Sequence, residues 1–332
     1  MDTLTAVESR AESATVPGRS CPLHYRYRPE VFRTEAAAEL QGLEVLYVVG
    51  GLYGNELALA RVLDLFDRER GRKRLVFNGD FHWFDADAAM FGRVQQAVLA
   101  HQALRGNVET ELSAPAADGD AGCGCAYPDW VGDGVVERSN RILRRLRLAA
   151  DDAQRTQLAA LPMWLRADVG LRRLGIVHGD ATSLAGWGFA QEHLRDADHR
   201  AEVGRWFDRA GVDAFACTHT CLPVFQALPA AGGGARWVLN NGAAGMPNFR
   251  GDAAGLLTRI ATAPFAGPER RHGVALPGGV VAEAIAIDID AAAWRTRFLA
   301  LWPAGSDAHQ SYFDRIVQGP AYALADVVRA GR

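Results

Sequence analysis

The sequence contains very little lysine: Lys73 is the only one, and the remaining 35 of its 36 basic residues are arginines. The arginines form no cluster or stripe of the kind that nucleic-acid-binding proteins carry, and the formal net charge at pH 7 is only −3. The composition therefore gives no indication of a nucleic-acid partner. A GC-rich coding sequence explains the arginine and alanine content more simply than a function does.

Long apolar runs are also absent. No stretch approaches the roughly 18–20 continuous apolar residues that a membrane helix requires. Residues 1–20 include Asp2, Glu8, Arg10 and Glu12 and lack the apolar run of about seven or more residues found in an export signal. We therefore expect a soluble, cytoplasmic protein without a membrane partner.

Cysteine is scarce and odd in number, with five in 332 residues. Scaffolds that depend on disulfides are much shorter and carry paired cysteines. The count therefore indicates a reducing compartment and free thiols, at positions Cys21, Cys123, Cys125, Cys217 and Cys221.

Hydrophobic residues make up 49% of the chain and charged residues 23%, which excludes a disordered, collagen-like or coiled-coil protein. From residue 43 onward, short apolar runs alternate with amphipathic stretches. Strands are predicted at 43–49, 75–77 and 103–104. Between them, one helix is predicted to begin at Asn55 and to stop at Gly71, and another to span residues 87–101. This alternation is typical of an α/β sheet, whose ligands bind beyond the carboxyl ends of the strands.

The chain divides into three predicted segments. Residues 1–42 are polar and weakly periodic and form an N-terminal arm, residues 43–290 form the main domain, and residues 291–332 form a C-terminal extension. Within the domain, residues 111–132 are rich in alanine, glycine, aspartate and proline, which predicts a long excursion near the rim of the sheet. The short strands that follow predict a second sheet in the same domain.

Four predicted strand ends carry a side chain that can bind a metal ion, namely Asp80, Asn107, His178 and His219. Each follows a short apolar run and is accompanied by glycine or another small residue, which lets the backbone turn sharply. The surrounding segments, in chain order, are GLYGN at 51–55, GD at 79–80, GNVE at 106–109, VHGD at 177–180, THTCLP at 218–223 and NNGAAGMPN at 240–248.

In order and spacing, these segments resemble the motifs of the calcineurin-like metallophosphoesterases over roughly residues 43–290. The resemblance implies a four-layer α/β/β/α sandwich with the metal site at the carboxyl ends of the strands and a small-molecule phosphate ester as the substrate. It assigns Asp80, Asn107, His178 and His219 to one metal position. Two imidazoles, a carboxylate and an amide oxygen suit Zn²⁺, Fe²⁺ or Mn²⁺ better than Ca²⁺ or Mg²⁺.

The second metal position implied by the resemblance has lost its ligands. Gly51, Tyr53 and Cys221 stand where the family has an aspartate and two histidines, and Val108 replaces its leaving-group acid. We therefore expect one ion; whether a second ion binds stays open, and the two-metal mechanism stays open with it.

The thiols allow two interpretations. Cys221, together with one or both of Cys123 and Cys125, rebuilds a second site or presents a reactive thiol beside the metal, since thiolates are ligands that favour zinc, copper(I) or iron. Alternatively, these cysteines are buried and act as small hydrophobic residues.

Five further residues are candidates for contact with substrate. His82 either donates a proton or ligates metal, or it is a packed histidine of its aromatic loop. Tyr53 either touches substrate or fills the vacated metal position. Asn241 and Gly242 bind phosphate or simply form a turn, and Asn140 is a candidate substrate contact.

Two functions are compatible with these residues. The first is a metal-dependent phosphoesterase that cleaves a phosphate ester of a small metabolite with a metal-activated water. The second is a protein of the same fold that has lost hydrolysis and binds metal or phosphate. The sequence predicts no oligomeric state.

Overall fold

The computed structural model describes residues 17–19, 21–114, 122–230 and 232–330. These residues form two six-stranded sheets that pack face to face, with helices on the outer face of each. The strands are β1 (Val45–Val49), β2 (Lys73–Asn78), β3 (Gln102–Leu104), β4 (Trp164–Val169), β5 (Arg172–Val177), β6 (Ala214–Cys217), β7 (Val224–Pro229), β8 (Ala235–Asn240), β9 (Gly255–Ala261), β10 (Arg270–Leu276), β11 (Val280–Ile287) and β12 (Val328–Arg329). The helices are α1 (Glu56–Arg68), α2 (Ala88–Leu99), α3 (Asn107–Ser113), α4 (Asp133–Leu146), α5 (Asp152–Ala159), α6 (Ala197–Ala210), α7 (Ala291–Leu301) and α8 (Asp307–Gln318).

The first sheet has the strand order β10-β11-β9-β1-β2-β3, and β1, β2 and β3 run parallel. Side chains of β1 alternate between its two faces, as the period of a strand requires. Tyr47 and Val49 face the helical layer, whereas Leu46 and Val48 face the second sheet. Because both faces are covered, the strand reads as a continuous apolar run.

The second sheet has the order β12-β7-β8-β6-β5-β4, with β5, β6 and β8 parallel. Its inner face packs against the first sheet through residues such as Ile176 and Leu239. Its outer face packs against α6 through Val203, Phe207 and Phe215. The predicted four-layer α/β/β/α sandwich is therefore confirmed.

The segment after residue 290 packs tightly onto the rest of the molecule. Helices α7 and α8 contribute Phe298 and Ile316 to the core beside the first sheet, and β12 pairs with β7 of the second. The sequence patterns did not predict α3, α6, α7, α8, β7, β10 or β12. In the described residues, no helix is both long and apolar enough to cross a bilayer.

His272 of β10 lies between the two sheets, with its ring 4.7 Å from that of Phe225 in an edge-on contact. Neither ring nitrogen has a hydrogen-bond partner among the described residues. Burial, followed by the charge of Arg270, lowers the pKa of His272 from 6.5 to about 4. As the pH falls between these two values, the unfolded chain takes up a proton that the folded chain does not bind, so stability decreases through this window.

We expect His272→Phe to remove this acid sensitivity, because phenylalanine has no charge to desolvate. Relative to wild type, the free energy of unfolding of the variant should rise by about 1–2 kcal/mol more at about pH 5 than at about pH 7.5. Urea unfolding at both pH values measures this difference. His24→Phe, at an exposed position, serves as the control. Its free energy of unfolding should differ from that of wild type by the same amount at both pH values. An equal effect of His272→Phe at both pH values would contradict the prediction.

Candidate metal centre

The parallel strands of both sheets end at one edge of the sandwich, and the loops that follow them bring four polar side chains together. Asp80 follows β2, Asn107 begins α3 after β3, His178 follows β5 and His219 follows β6. Asp80 has a φ of 50°, an uncommon value for a residue other than glycine. The backbone is therefore held in an unfavourable conformation at the residue that carries the carboxylate.

The ligand-type atoms of these four side chains converge. The Nε2 atom of His178 lies 3.1 Å from Asn107 Oδ1, 3.3 Å from Asp80 Oδ2 and 3.1 Å from His219 Nδ1. The carboxylate and the two imidazoles present atoms within 4.8 Å of one another. All four side chains are buried or nearly so.

The outward-facing atoms of the same side chains are bound to backbone carbonyls. His178 donates from Nδ1 to the carbonyl of Asn78 over 2.9 Å, and His219 donates from Nε2 to the carbonyl of Cys125 over 3.1 Å. Asn107 donates from Nδ2 to the carbonyl of Cys123 over 2.8 Å. Since a carbonyl only accepts, these bonds leave the imidazole lone pairs and the amide oxygen facing inward.

Burial lowers the pKa of His178, but Asp80 outweighs this effect and raises it, so that a proton on Nε2 can join these atoms when no ion is bound. A cation at the same place would be held by all four side chains. The donor set therefore fits a divalent metal ion, and two nitrogen and two oxygen donors suit a transition metal. Burial opposes ionisation of Asp80, but the two histidines outweigh it and lower the pKa of the carboxyl group. Burial and the neighbouring His178 lower the pKa of His219 to about 3, so its imidazole stays neutral.

The cluster forms the floor of a cleft of about 240 Å³. Asp80, Asn107 and His219 line this floor. The walls are largely aromatic and include Tyr53, Trp83, Tyr127, Trp187 and Tyr312. A cleft of this size and composition suits a small molecule.

Two solved structures have a similar fold. A metallophosphoesterase from Sphaerobacter thermophilus matches 83% of this chain and 100% of its own, with a TM-score of 0.53 and 14% sequence identity. A hypothetical protein from Pyrococcus horikoshii OT3 matches 84% of this chain and 99% of its own, with a TM-score of 0.54 and 14% identity. The chain has a calcineurin-like metallophosphoesterase fold. No protein-family model and no curated protein matches it in sequence.

Gly51, Tyr53 and Cys221 stand at the second metal position that the resemblance implies. There the ring of Tyr53 lies against Gly51, so that a Cβ atom on this glycine would come within about 3.0 Å of the phenol oxygen. The Tyr53 hydroxyl group lies 2.9 Å from Cys221 Sγ. Burial raises the pKa of both the phenol and the thiol, so both keep their protons. The Tyr53 ring thus fills the space beside Gly51.

The thiols do not form a second ligand cluster in the described part of the chain, where Asp80, His178 and His219 are the only group of three or more potential metal ligands. Cys221, which was expected to be a ligand, lines the cleft outside this group, with its sulfur 2.9 Å from the Tyr53 hydroxyl oxygen. Cys217 packs in the core beneath α6, away from the cleft.

Of the predicted excursion at 111–132, residues 111–113 instead form the end of α3, whereas residues 122–132 lie at the rim of the site. There Cys123 and Cys125 act through their backbone carbonyls, which orient Asn107 and His219. Their thiols are buried, and burial raises the pKa of Cys125 well above its usual value. Residues 115–121 of the predicted excursion lie outside the described residues.

His82 differs from the expectation of a group that reaches substrate. Its side chain is fully buried, its Nδ1 atom lies 2.6 Å from Asp85 Oδ2, and its ring stacks on Phe91 with centroids 3.6 Å apart. It does not line the cleft. Its loop neighbours Phe81, Trp83 and Phe84 are also buried, so this segment packs into the core. This agrees with the alternative of a packed histidine.

Asn241, Gly242 and Asn140 also lie away from the cleft. Asn241 donates to the carbonyls of Gly50 and Leu256 and so joins loops of the two sheets. Gly242 has a φ of 75° and forms the turn after β8. Its carbonyl accepts a hydrogen bond from the hydroxyl group of Thr218 in the loop after β6. Asn140 accepts from the amide of Cys123 over 2.9 Å. All three support the loops of the site and have no surface in the cleft.

Glu109 is a residue of the site to which the sequence analysis gave no role. Its buried carboxylate accepts hydrogen bonds from four backbone amides, those of Asp80, Phe81, His82 and Gly106, over 2.8–3.3 Å. Burial, followed by the nearby Asp80, raises its pKa. A sequence pattern could have identified this role, because Glu109 lies three residues after Gly106, the N-cap of α3. A glutamate at this position can reach back to accept from the first backbone amides of a helix.

Proposed function

We propose that the protein is a metal-dependent phosphoesterase that hydrolyses a phosphate ester of a small metabolite. One observation supports this proposal above all others: the inward-facing acceptor atoms of Asp80, Asn107, His178 and His219 meet, and three of these residues line the floor of a cleft. These four residues would hold a single divalent ion such as Zn²⁺, Fe²⁺ or Mn²⁺. When bound there, the ion supplies Lewis-acid chemistry, polarising a phosphoryl oxygen and acidifying a water molecule.

The residues around the cluster keep its ligands in position. The carbonyls of Asn78, Cys123 and Cys125 fix the orientation of His178, Asn107 and His219 before any ion arrives. Contacts of this kind, one step removed from the ion, typically contribute 10–100-fold to metal affinity or activity. Such prior orientation lowers the entropy cost of forming the site.

Tyr53 would supply a hydroxyl donor on the wall of the cleft. Since burial keeps its pKa well above the usual value, the phenol retains its proton at neutral pH. We propose that it donates a hydrogen bond to the phosphate group or to the oxygen that leaves. The leaving oxygen needs such a donor because Val108 stands where the related motif has a histidine.

The proposal is tested with metal analysis and phosphoesterase assays on the same preparations. We expect wild type to bind about one equivalent of Mn²⁺ or Zn²⁺ and to hydrolyse p-nitrophenyl phosphate or its bis ester. His178→Ala should lose the ion and reduce kcat/KM by about 100-fold or more. His272→Phe is the matched control, since it also replaces a histidine whose ring nitrogens are buried but lies between the sheets, and it should keep both metal and activity.

A second function is favoured by the composition of the cleft. Among the described residues that line it, no carboxylate or imidazole lies outside the metal cluster, so a strong proton donor to the leaving group is lacking. A metal- and phosphate-binding protein without hydrolysis would have these properties. Stoichiometric metal without turnover of any ester in the presence of Mn²⁺, Zn²⁺ or Fe²⁺ would favour this function and count against hydrolysis.

A further inference from the structure

Arg315 of α8 reaches the cleft from the C-terminal part of the chain, beyond the region that resembles the metallophosphoesterase motifs. Its guanidinium donates from Nη2 to the carbonyl of Cys221 over 2.7 Å and from Nε to the carbonyl of Pro247 over 3.1 Å. These two acceptors belong to two different loops at the carboxyl edge of the sheets. The charged group is thus held in a fixed orientation at the wall of the cleft.

The charge of Arg315 has no carboxylate partner among the described residues. None of the ion pairs found in the described part of the chain includes it. Arginine has five N–H groups, and the two carbonyls take two of them, which leaves three for another acceptor. Of the described residues that line the cleft, Arg315 is the only arginine or lysine.

The neighbours of Arg315 complete a set of donors. Ser311 lies one helical turn earlier on the same face of α8 and also lines the cleft. Its Oγ atom accepts from Nε of Arg138 over 2.7 Å, so its own proton is free to be donated elsewhere. Tyr53 and Cys221, which stand where the resemblance would place ligands of a second ion, line the cleft with Arg315, and its charge opposes the rise in pKa that burial causes in both.

An unpaired guanidinium beside two hydroxyl donors matches an oxyanion, and a phosphate group is the anion whose geometry best fits the planar fork of arginine. We propose that Arg315 and Ser311 form a phosphate-binding subsite facing the metal cluster, so that a fixed side-chain cation takes the place of a second metal ion. This inference rests on the proposed function for the identity of the anion as the phosphate of an ester.

The subsite also explains how a site with one ion could bind a dianion. Asp80 and Arg315 are the two charged residues lining the cleft, and their charges cancel. A divalent ion on the cluster would raise the total to about +2, which balances a phosphate dianion. Without Arg315, the net charge of the cleft would fall by one unit. The lost charge would lie on the side where the ligands of a second metal ion are missing.

Direct binding of inorganic phosphate tests the subsite, measured by isothermal titration calorimetry with the full-length chain, loaded with Mn²⁺ or treated with EDTA. We expect Arg315→Gln to weaken phosphate binding about 10–100-fold in both states. Arg315→Lys should recover only part of it, because an ammonium cannot bond two carbonyls and a phosphate in the same geometry. Arg297→Gln, an equal charge change on the exposed face of α7, is the control and should bind within about twofold of wild type.

Thermal unfolding and metal content of each variant establish that the comparison concerns folded, loaded protein. Phosphate binding by Arg315→Gln as tight as that of wild type would overturn the proposal, as would preferential binding of acetate over phosphate by wild type. If wild type hydrolyses esters and Arg315→Gln does so equally well, the subsite is wrong and the proposed function stands. If Arg315→Gln loses phosphate binding but wild type hydrolyses no ester, the subsite stands and the hydrolase does not.

Discussion

Replacing Glu109 with alanine is expected to lower the free energy of unfolding by about 3–6 kcal/mol and to abolish tight metal binding. The carboxylate accepts from four buried backbone amides in the loops after β2 and β3. Each buried donor left without an acceptor costs about 1–3 kcal/mol, although water that enters the cavity recovers part of this cost. One of the four amides belongs to Asp80, so the carboxylate that faces the metal cluster loses its support at the same time.

Guanidinium unfolding and metal titration of the purified variants measure both parts of this expectation. Glu109→Gln is the informative companion, because it keeps the volume but turns an amide group toward two of the four backbone N–H groups. It should therefore be destabilised almost as strongly as the alanine variant. Near wild-type stability of Glu109→Gln would show that the side chain fills space only, and would contradict the role assigned to its charge.

The metal cluster was predictable because each of its residues follows a strand with a simple local signature. A short apolar run ended by glycine and a polar residue predicts a strand and the turn after it, as for Asp80 after β2. The parallel arrangement then brings the strand ends to one edge. The convergence of Asp80, Asn107, His178 and His219 therefore follows from the order of the elements.

The remaining residues depend on directions that a sequence pattern does not contain. His82 lies two residues after Asp80, yet its ring turns inward to stack on Phe91 of α2. Cys217 precedes His219 by two residues, and because it is the last residue of β6 its side chain enters the core beneath α6. Proximity in sequence to a ligand thus says little about which side of the backbone a neighbour occupies.

The contribution of α8 could not be predicted for a different reason. Arg315 lies 94 residues after Cys221, with which it shares a hydrogen bond. Long-range contacts of this kind arise from the packing of α8 against the first sheet, and the periodicity of this helix alone does not identify its partner. Gly51, Tyr53 and Cys221 differ from the metal ligands that the resemblance implies, so the sequence indicates a changed second metal position. Only the structure shows that the guanidinium of Arg315 lies beside it.

Gly79→Ala is expected to lower the free energy of unfolding by about 2–5 kcal/mol and to prevent the metal cluster from assembling. Gly79 has a φ of 73°, in the left-handed region that costs a residue with a Cβ atom about 1–2 kcal/mol. A Cβ atom there would also lie 2.5 Å from the backbone nitrogen of Gly106 and 2.6 Å from Nδ1 of His178. Neither group can move without displacing Asn107 or the imidazole that faces the cluster.

Gly204→Ala provides the matched control, because this glycine lies within α6 and nothing approaches its would-be Cβ atom within 4 Å. The control should gain about 0.5–1 kcal/mol, since alanine loses less backbone entropy in a helix than glycine does. Denaturant unfolding and metal titration of both variants compare the same chemical change in two settings. If Gly79→Ala keeps wild-type stability and metal affinity, the close approach of the β2 loop to His178 and Gly106 is not what holds the cluster together.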